Sequence, residues 1–263
     1  MMLLSTQLVL LLATATTNGV NTRDERGATP LHTAATAGNC GEITRLLHAN
    51  ANAELHDRRG QTALHRAAER SQLDAIAALV RGGADVNALN SFGHTALHRA
   101  AFRNRPTVIN ALVAAGAHVD VELALGGDRP LHSAASQGHA DAINALHRAG
   151  AKLHLVNDVG QNALHRAALG GDTEKHREAV SALIAAGADL HARNGGGETA
   201  VHLAAGLGHL APLGALAAAG ADLDLRVAGG ATALQLALSR GDAGASLAAE
   251  LRRLGAGHVV DEL

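Results

Sequence analysis

Histidine is the residue type in this sequence that most directly suggests chemistry. The chain of 263 residues holds 17 histidines, and a neutral imidazole is a common ligand of zinc and other transition metals. Six of them recur at intervals of 33, 33, 34, 33 and 37 residues, namely His32, His65, His98, His132, His165 and His202. Because the ligands of one ion lie about 2 Å from it, side chains separated by a whole repeat cannot share an ion. The remaining histidines form no His-Glu-x-x-His motif and no Cys/His pair, so we predict no metal site and no cofactor.

Motifs that assemble a nucleophile, a base and an orienting group are also missing from the sequence. The chain contains neither Gly-x-Ser-x-Gly nor the phosphate-binding Gly-x-x-x-x-Gly-Lys. Its three consecutive glycines, residues 195–197, lie in a turn between repeats and lack the flanking strand and helix of a phosphate-binding loop. We therefore predict that the protein is not an enzyme and has no catalytic residues.

The regularly spaced histidines belong to a longer internal repeat. Residues 62–68 read Thr-Ala-Leu-His-Arg-Ala-Ala, and the same seven letters return at residues 95–101. Related copies begin at Thr29, Arg129, Asn162, Thr199 and Thr232. These copies make seven units, with one extra residue before Arg129 and four before Thr199. A period of this length is typical of a solenoid of stacked helical repeats.

The motif, the period and the Gly-Ala-Asp-Val-Asn sequence at residues 83–87 together resemble the ankyrin repeat family over residues 20–256. The resemblance implies an all-α ankyrin-repeat solenoid of about seven helix-turn-helix units with short β-hairpin-like turns. It implies that the six recurring histidines are structural and hydrogen-bond each unit to the adjoining turn. It also implies that the chain binds other proteins. We expect units at residues 21–54, 55–87, 88–120, 121–154, 155–191, 192–224 and 225–263.

Composition and charge fit thin, closely packed helices. Aromatic residues make up 1% of the chain, with no Trp or Tyr, and the formal net charge of −2 predicts no general attraction to nucleic acid or to an anionic membrane. The single cysteine, Cys40, excludes an intrachain disulfide. We expect it to be a small buried hydrophobe, because Leu73 lies 33 residues later and is predicted to face the inside of its helix together with Ile76, Leu79 and Val80.

Residues 1–20 form a hydrophobic segment that allows two interpretations. Residues 8–13 are apolar and residues 13–15 read Ala-Thr-Ala, as in a secretory signal peptide, although the positive n-region is missing. Residues 19–21 instead copy the end of a repeat, which favours a helix that caps the first apolar face of the stack. We favour the cap, and hence a cytoplasmic protein, with export as the outcome if residues 1–15 are a signal peptide. The apolar run is too short for a membrane span.

Three units depart from the regular pattern. The polar turn of unit four is replaced by Leu-Ala-Leu-Gly-Gly at residues 123–127, so we expect a less regular hairpin there. Unit five carries extra residues around 174–177, which we expect to form a charged loop between its two helices. In the last unit the histidine is replaced by Gln235, and the second helix is more polar, as suits a helix that faces solvent.

The ankyrin resemblance places one side of each first helix, and the turn before it, along a binding groove. In units two and three these positions hold six arginines, one histidine and both phenylalanines of the chain: Arg58, Arg59, Arg66, Arg70, Phe92, His94, Arg99, Phe102 and Arg103. Residues 55–105 contain eight Arg and four acidic residues, a balance of +4, so the rest of the chain carries −6. The alternative is an ordinary solvated face, with Phe92 as an exposed turn residue, Phe102 packed on a neighbour, and Arg66 paired with Glu69 along one helix.

These observations lead to one functional hypothesis and one alternative. The hypothesis is a non-catalytic protein-protein interaction module that binds another protein, with an acidic segment, through the concave groove of its repeats. The alternative is an exported, periplasmic or secreted ankyrin protein that binds or protects a target after signal-peptide cleavage. We expect a monomer with no nucleic-acid partner and no membrane span.

Overall fold

The computed structural model describes residues 19–257, and all regular secondary structure in that range is helical. It comprises fourteen α-helices and one short 3-10 helix, so the prediction of an all-α protein is confirmed. The chain divides into two compact units, Met1–His118 and Val119–Leu263. Each unit is built of helix pairs in which a first helix is followed after a short loop by a second.

The first compact unit contains three helix pairs. They are α1 (Pro30–Ala37) with α2 (Cys40–His48), α3 (Ala63–Glu69) with α4 (Leu73–Arg81), and α5 (Ala96–Phe102) with α6 (Pro106–Ala114). The second compact unit contains four. They are α7 (Pro130–Ser136) with α8 (Ala140–Arg148), α9 (Ala163–Gly170) with α10 (Glu174–Ala185), α11 (Ala200–Leu207) with α12 (Leu210–Ala218), and α13 (Ala233–Leu238) with the 3-10 helix (Gly241–Gly244) and α14 (Ala245–Arg253).

A capping residue starts most of the first helices. At α5, the hydroxyl oxygen of Thr95 accepts a hydrogen bond from the N–H of His98 (3.3 Å), and the N–H of Thr95 donates to Nδ1 of the same histidine (3.3 Å). Asn162 makes the equivalent pair of bonds before α9. This reciprocal pairing satisfies N–H groups that helix geometry leaves without an intrahelical partner. The seven-letter repeat therefore specifies where each first helix begins.

The core of each compact unit lies between its helix pairs. In α3 and α5, Leu64 and Leu97 are buried among alanines, and in α4 the buried face is centred on Ile76 and Leu79. Leu73 is 40% exposed, so its predicted inward orientation was wrong. It is the first residue of α4, at the border of the buried face. Cys40 begins α2 in the same way and is only partly buried, which corrects its predicted burial.

Tight turns precede the first helices, and turns of successive repeats contact one another within each compact unit. Before α5, the N–H of Asn90 donates to the carbonyl oxygen of His94 (2.8 Å) and closes the turn. The N–H of Ser91 donates to the carbonyl oxygen of Gly60 in the preceding turn (2.9 Å). Gly60 has a φ of +70°, and a Cβ added there would lie 2.4 Å from Cβ of Ser91, so both the conformation and the contact favour glycine. The predicted hairpin-like turns are therefore present.

The turn of unit four is less regular, as predicted. The N–H of Leu123 donates to the carbonyl oxygen of Asp128 (2.9 Å), which closes a turn one residue longer than the one before α5. Leu125 is 85% exposed at its tip, and Gly126 and Gly127 both have positive φ. The extra residue before Arg129 is absorbed by this turn, and helix α7 still begins directly after that arginine.

Residues 174–177 form the first turn of α10, so the prediction of a charged loop was wrong. Thr173 precedes the helix and Glu174 and Arg177 form an ion pair along it. His176 is buried, and its Nε2 lies 3.3 Å from the carbonyl oxygen of Ser136. A Cβ at Gly170 would lie 2.4 Å from that Nε2. The inserted residues lengthen a helix because an acidic residue at its N-terminus and a packed histidine both stabilise it there.

Both interpretations of the segment at residues 1–20 concern residues that, except for Gly19 and Val20, lie outside the described range. Val20 is buried. Within residues 19–257, no helix combines the length and the apolar composition that crossing a bilayer requires.

Candidate binding groove

An open cleft of about 650 Å³ lies in the first compact unit, beside helices α3 and α5 and the turns that precede them. We call it the arginine cleft. Its lining residues are Arg59, Gln61, Arg66, Glu69, Arg70, Phe92, His94, Arg99, Arg103 and Arg105. Seven of the nine residues selected from the sequence are among them; the exceptions are Arg58 and Phe102.

Arg66 is held by a buried carboxylate. Its Nε donates to Oδ2 of Asp57 (2.7 Å), and its Nη2 contacts the same oxygen. The other oxygen, Oδ1, accepts the N–H groups of Arg59 (2.8 Å) and Gln61 (3.0 Å). Burial alone would raise the pKa of Asp57, but these N–H groups and the guanidinium outweigh it and lower that pKa below its ordinary value. Asp57 therefore stays ionised and neutralises Arg66.

Arg99 is held by a carboxylate from the neighbouring repeat. Its Nη2 forms an ion pair with Oε1 of Glu69, and both side chains are 21% exposed. Glu69 therefore does not pair with Arg66 along α3, which was the alternative left open by the sequence. The Nε of Arg99 is buried and has no hydrogen-bond partner.

Four arginines of the cleft have no carboxylate partner among residues 19–257: Arg59, Arg70, Arg103 and Arg105. All four are exposed. Arg70 and Arg103 occupy equivalent places 33 residues apart, at the C-caps of α3 and α5. Arg105 directly precedes α6. The cleft therefore carries four arginine charges that the described part of the chain leaves without an ion-pair partner.

Sequence reasoning missed Arg105 as a cleft residue. The available signal was its place in the short loop between α5 and α6, which lies at the same end of the repeat as Arg103. Gln61 also lines the cleft; it is buried, and its Oε1 has no partner.

The two phenylalanines occupy different surroundings. Phe92 is 68% exposed and lines the cleft from the turn before α5. Phe102 is 39% exposed and lies outside the lining, with the guanidinium carbon of Arg103 6.0 Å from its ring centroid. At that distance the ring stabilises the cation and holds the arginine side chain in place. The sequence placed both rings on one binding surface, whereas only Phe92 lines the cleft.

Arg58 also lies outside the arginine cleft. Its N–H donates to the carbonyl oxygen of Arg26 in the preceding turn (3.0 Å). A Cβ added at Gly27 would lie 2.9 Å from Cγ of Arg58, so this side chain extends along that turn. The sequence selected Arg58 as a partner-binding residue; it does not line the arginine cleft, and a contact of Arg58 with a partner stays a prediction.

His94 is a cleft residue whose ring is kept neutral. Burial, and then the positive charge of Arg99, lower its pKa below the ordinary value. Its ring stacks on that of His98 with 6.0 Å between centroids. Its carbonyl oxygen accepts a hydrogen bond from Nε2 of His65 (2.9 Å). His94 therefore links the cleft to the buried histidines behind it.

The recurring histidines have the structural role that the resemblance implied. Nδ1 of His65 lies 2.8 Å from the hydroxyl oxygen of Thr62 on its own repeat, and Nε2 reaches the next turn. The same arrangement occurs at His32, His132, His165 and His202, whose Nε2 atoms lie 2.8–3.1 Å from backbone carbonyl oxygens. Within the described part of the chain, no group of three or more His, Cys, Asp or Glu is arranged to hold a metal ion.

Helix pairs that follow tight turns recur in both compact units, and a charged cleft lies beside the first helices of the first one, as in a helical repeat protein. A family model described as ankyrin repeats (3 copies) matches residues 4–90, 38–123, 97–194 and 131–227. The chain belongs to the ankyrin repeat family. Ankyrin repeats generally act as protein-protein interaction modules, and their fold is a non-catalytic interaction scaffold.

Among solved structures, the ankyrin repeat domain of Bcl-3, described as a unique member of the IkappaB protein family, is similar to this chain. The two superpose with a TM-score of 0.72 and share 28% sequence identity, and the match covers 87% of this chain and 100% of that one. No curated protein sequence matched this chain.

Proposed function

We propose that this protein is a non-catalytic binding module that takes an acidic segment of a partner protein in the arginine cleft. The observation that carries the proposal is the set of four arginines around one cleft that have no carboxylate partner within residues 19–257. Other arginines at this surface are already compensated: Arg66 by Asp57 and Arg99 by Glu69. Charge left uncompensated in one place is therefore available to a ligand.

The remaining features of the cleft favour a protein segment as the ligand. Aromatic and arginine side chains are the commonest energetic centres of protein interfaces, and the cleft offers Phe92 beside its arginines. Guanidinium groups bind carboxylates through two parallel hydrogen bonds, which fixes orientation as well as charge. Exposed charges at the rim also accelerate association with an oppositely charged partner.

The proposal is tested by affinity capture followed by measurement with purified components. The bait is the full chain, compared with Arg70→Glu/Arg103→Glu and with a matched control, Arg58→Glu/Arg81→Glu, which changes the same charge outside the arginine cleft. The expected result is a protein that the wild-type chain and the control retain and that the cleft variant loses. The captured protein is then produced alone, and its acidic segment is deleted.

The association and dissociation kinetics of this protein with its purified partner test whether the arginine cleft is the binding site. We expect the cleft variant to lower the association rate constant and to weaken its salt dependence, because long-range attraction is lost. Deletion of the acidic segment should have the same effect. A partner that binds the folded cleft variant and the wild-type chain with equal affinity would contradict the proposal.

A further inference from the structure

The positions of the unpaired guanidinium groups limit what the arginine cleft can hold. Arg70 and Arg103 extend from equivalent points of two neighbouring first helices. Packed helices lie about 8–10 Å apart, and an arginine side chain is long enough to span half of that distance. The guanidinium groups of Arg70 and Arg103 can therefore approach one small anionic group from opposite sides. Arg105 follows Arg103 by two residues, in the loop between α5 and α6.

Arg99 also lines the cleft, with 21% of its side chain exposed. Its Nη2 is engaged by Glu69, while its buried Nε has no partner. Arg66 differs, because its Nε and Nη2 are both engaged by Asp57. The Nε of Arg99 is closed to solvent, as are the unpartnered Nε atoms of Arg129 and Arg166, so a ligand reaches Arg99 through the exposed part of its side chain.

The amount of charge distinguishes between anionic groups. A carboxylate brings one negative charge and two oxygens, whereas a phosphoryl group brings about −1.5 to −2 and three acceptor oxygens. Four guanidinium groups around one cleft exceed what a single carboxylate can neutralise. A phosphoryl group can bind two or more guanidinium groups at once, since each guanidinium group can donate two parallel hydrogen bonds to it.

The surroundings of the cleft favour a short peptide over a long polyanion. Outside residues 55–105 the first compact unit carries three Arg and four acidic residues, a balance of −1, so it offers no further net positive charge to a chain of phosphates that extends beyond the cleft. Single-stranded nucleic acids also need several aromatic rings on which successive bases stack, and the cleft contains one phenylalanine. Phe92 is exposed and suits one apolar side chain next to the charged group.

We infer that the arginine cleft binds a phosphorylated segment of a partner protein, with the phosphoryl group held by Arg70, Arg99 and Arg103 and a neighbouring apolar side chain placed against Phe92. This inference rests on the proposed function and narrows its ligand from acidic segments in general to phosphorylated ones. Phosphorylation of the partner would then switch binding on.

The test uses three degenerate peptide libraries that differ only at a fixed central residue, which is phosphoserine, serine or glutamate. The full-length protein is immobilised, retained peptides are sequenced, and the best sequences are made in all three forms for calorimetry. We expect the phosphorylated form to bind at least about tenfold more tightly than the glutamate form. Arg70→Gln/Arg103→Gln should remove most of that difference, and the matched control Arg58→Gln/Arg81→Gln should keep it.

Several results would overturn the inference, and they separate it from the broader proposal. If the glutamate and phosphoserine peptides bound with equal affinity and Arg70→Gln/Arg103→Gln abolished both, the cleft would bind acidic segments without requiring phosphate. Phosphopeptide binding that is unchanged in Arg70→Gln/Arg103→Gln would exclude a phosphorylated segment as the ligand of the cleft. Tighter binding of a single-stranded oligonucleotide of equal charge would exclude it as well. Failure of all three libraries to bind would count against both.

Discussion

Arg66, which lines the arginine cleft, forms a charge pair with the buried carboxylate of Asp57. The Nε of Arg66 lies 2.7 Å from Oδ2 of Asp57, and the side chain of Asp57 has no exposed surface. The same carboxylate also accepts two backbone N–H groups that shape the turn before α3. One residue therefore fixes the turn and decides how many arginines of the cleft remain unpaired.

Two substitutions of Asp57 separate these roles. Asp57→Ala removes both turn hydrogen bonds and leaves Arg66 without its partner, so we expect it to lower the free energy of unfolding by about 3–5 kcal/mol. Asp57→Asn should cost less, because Asn90 at the equivalent position accepts the same two N–H bonds through its Oδ1. Urea denaturation of both variants measures the difference. Equal losses would show that the turn bonds do not contribute.

Asp57→Asn should also strengthen binding of acidic peptides, since it leaves Arg66 as a fifth uncompensated arginine. We expect a higher association rate constant at low salt and a smaller gain at high salt. Stopped-flow measurements on one peptide at two ionic strengths give the result. No change in rate would mean that Arg66 does not contribute to the field in the cleft.

The buried histidines make stability depend on pH. Burial lowers the pKa of His65 to about 4, and burial likewise lowers the pKa values of His32, His132, His165 and His202. The unfolded chain therefore takes up protons first, so stability is complete above the ordinary histidine pKa of about 6.5 and falls as the pH drops below it. His65 alone accounts for a loss of roughly 2 kcal/mol between pH 7 and pH 5.

The variant His65→Gln tests this assignment. Glutamine occupies the equivalent position in the last repeat, where Oε1 of Gln235 accepts the N–H of Thr232 (2.9 Å). The substitution should lower stability at pH 7 and reduce its change between pH 7 and pH 5, as followed by denaturant titrations at both values. An unchanged pH dependence would exclude His65 as a contributor.

Burial predicts different costs for the same substitution at two repeats. Leu97 is 1% exposed in α5, so Leu97→Ala should cost about 2–5 kcal/mol through lost burial and the cavity that remains. Leu234, in the last helix pair, is only partly buried, and Leu234→Ala should cost less. Denaturation of both variants under the same conditions makes the comparison. Equal costs would contradict it.

The environments of the phenylalanines predict different effects on binding. Phe92→Ala should increase the dissociation rate constant of a cleft ligand several-fold, because an exposed ring at the lining is removed. Phe102→Ala should have a smaller effect, limited to the loss of the ring that positions Arg103. Surface plasmon resonance with one phosphopeptide compares them. A larger effect at Phe102 would move the binding surface away from the cleft described here.

The sequence by itself determined the repeat architecture of this protein, and its resemblance to the ankyrin repeat family implied the role of its histidines. A capping Thr or Asn followed three residues later by His or Gln recurs at nearly constant spacing, and these interactions are local or reach only the next repeat. Only the tertiary structure decided which arginine pairs with which carboxylate. Glu69 is three residues from Arg66 on one helix but pairs with Arg99 on the next, since Asp57 already satisfies Arg66. Helical spacing places side chains on a face, whereas the pairing of charges depends on distances between repeats. For that reason only the folded chain showed which arginines have no ion-pair partner within residues 19–257, and that Arg58 and Phe102 do not line the cleft.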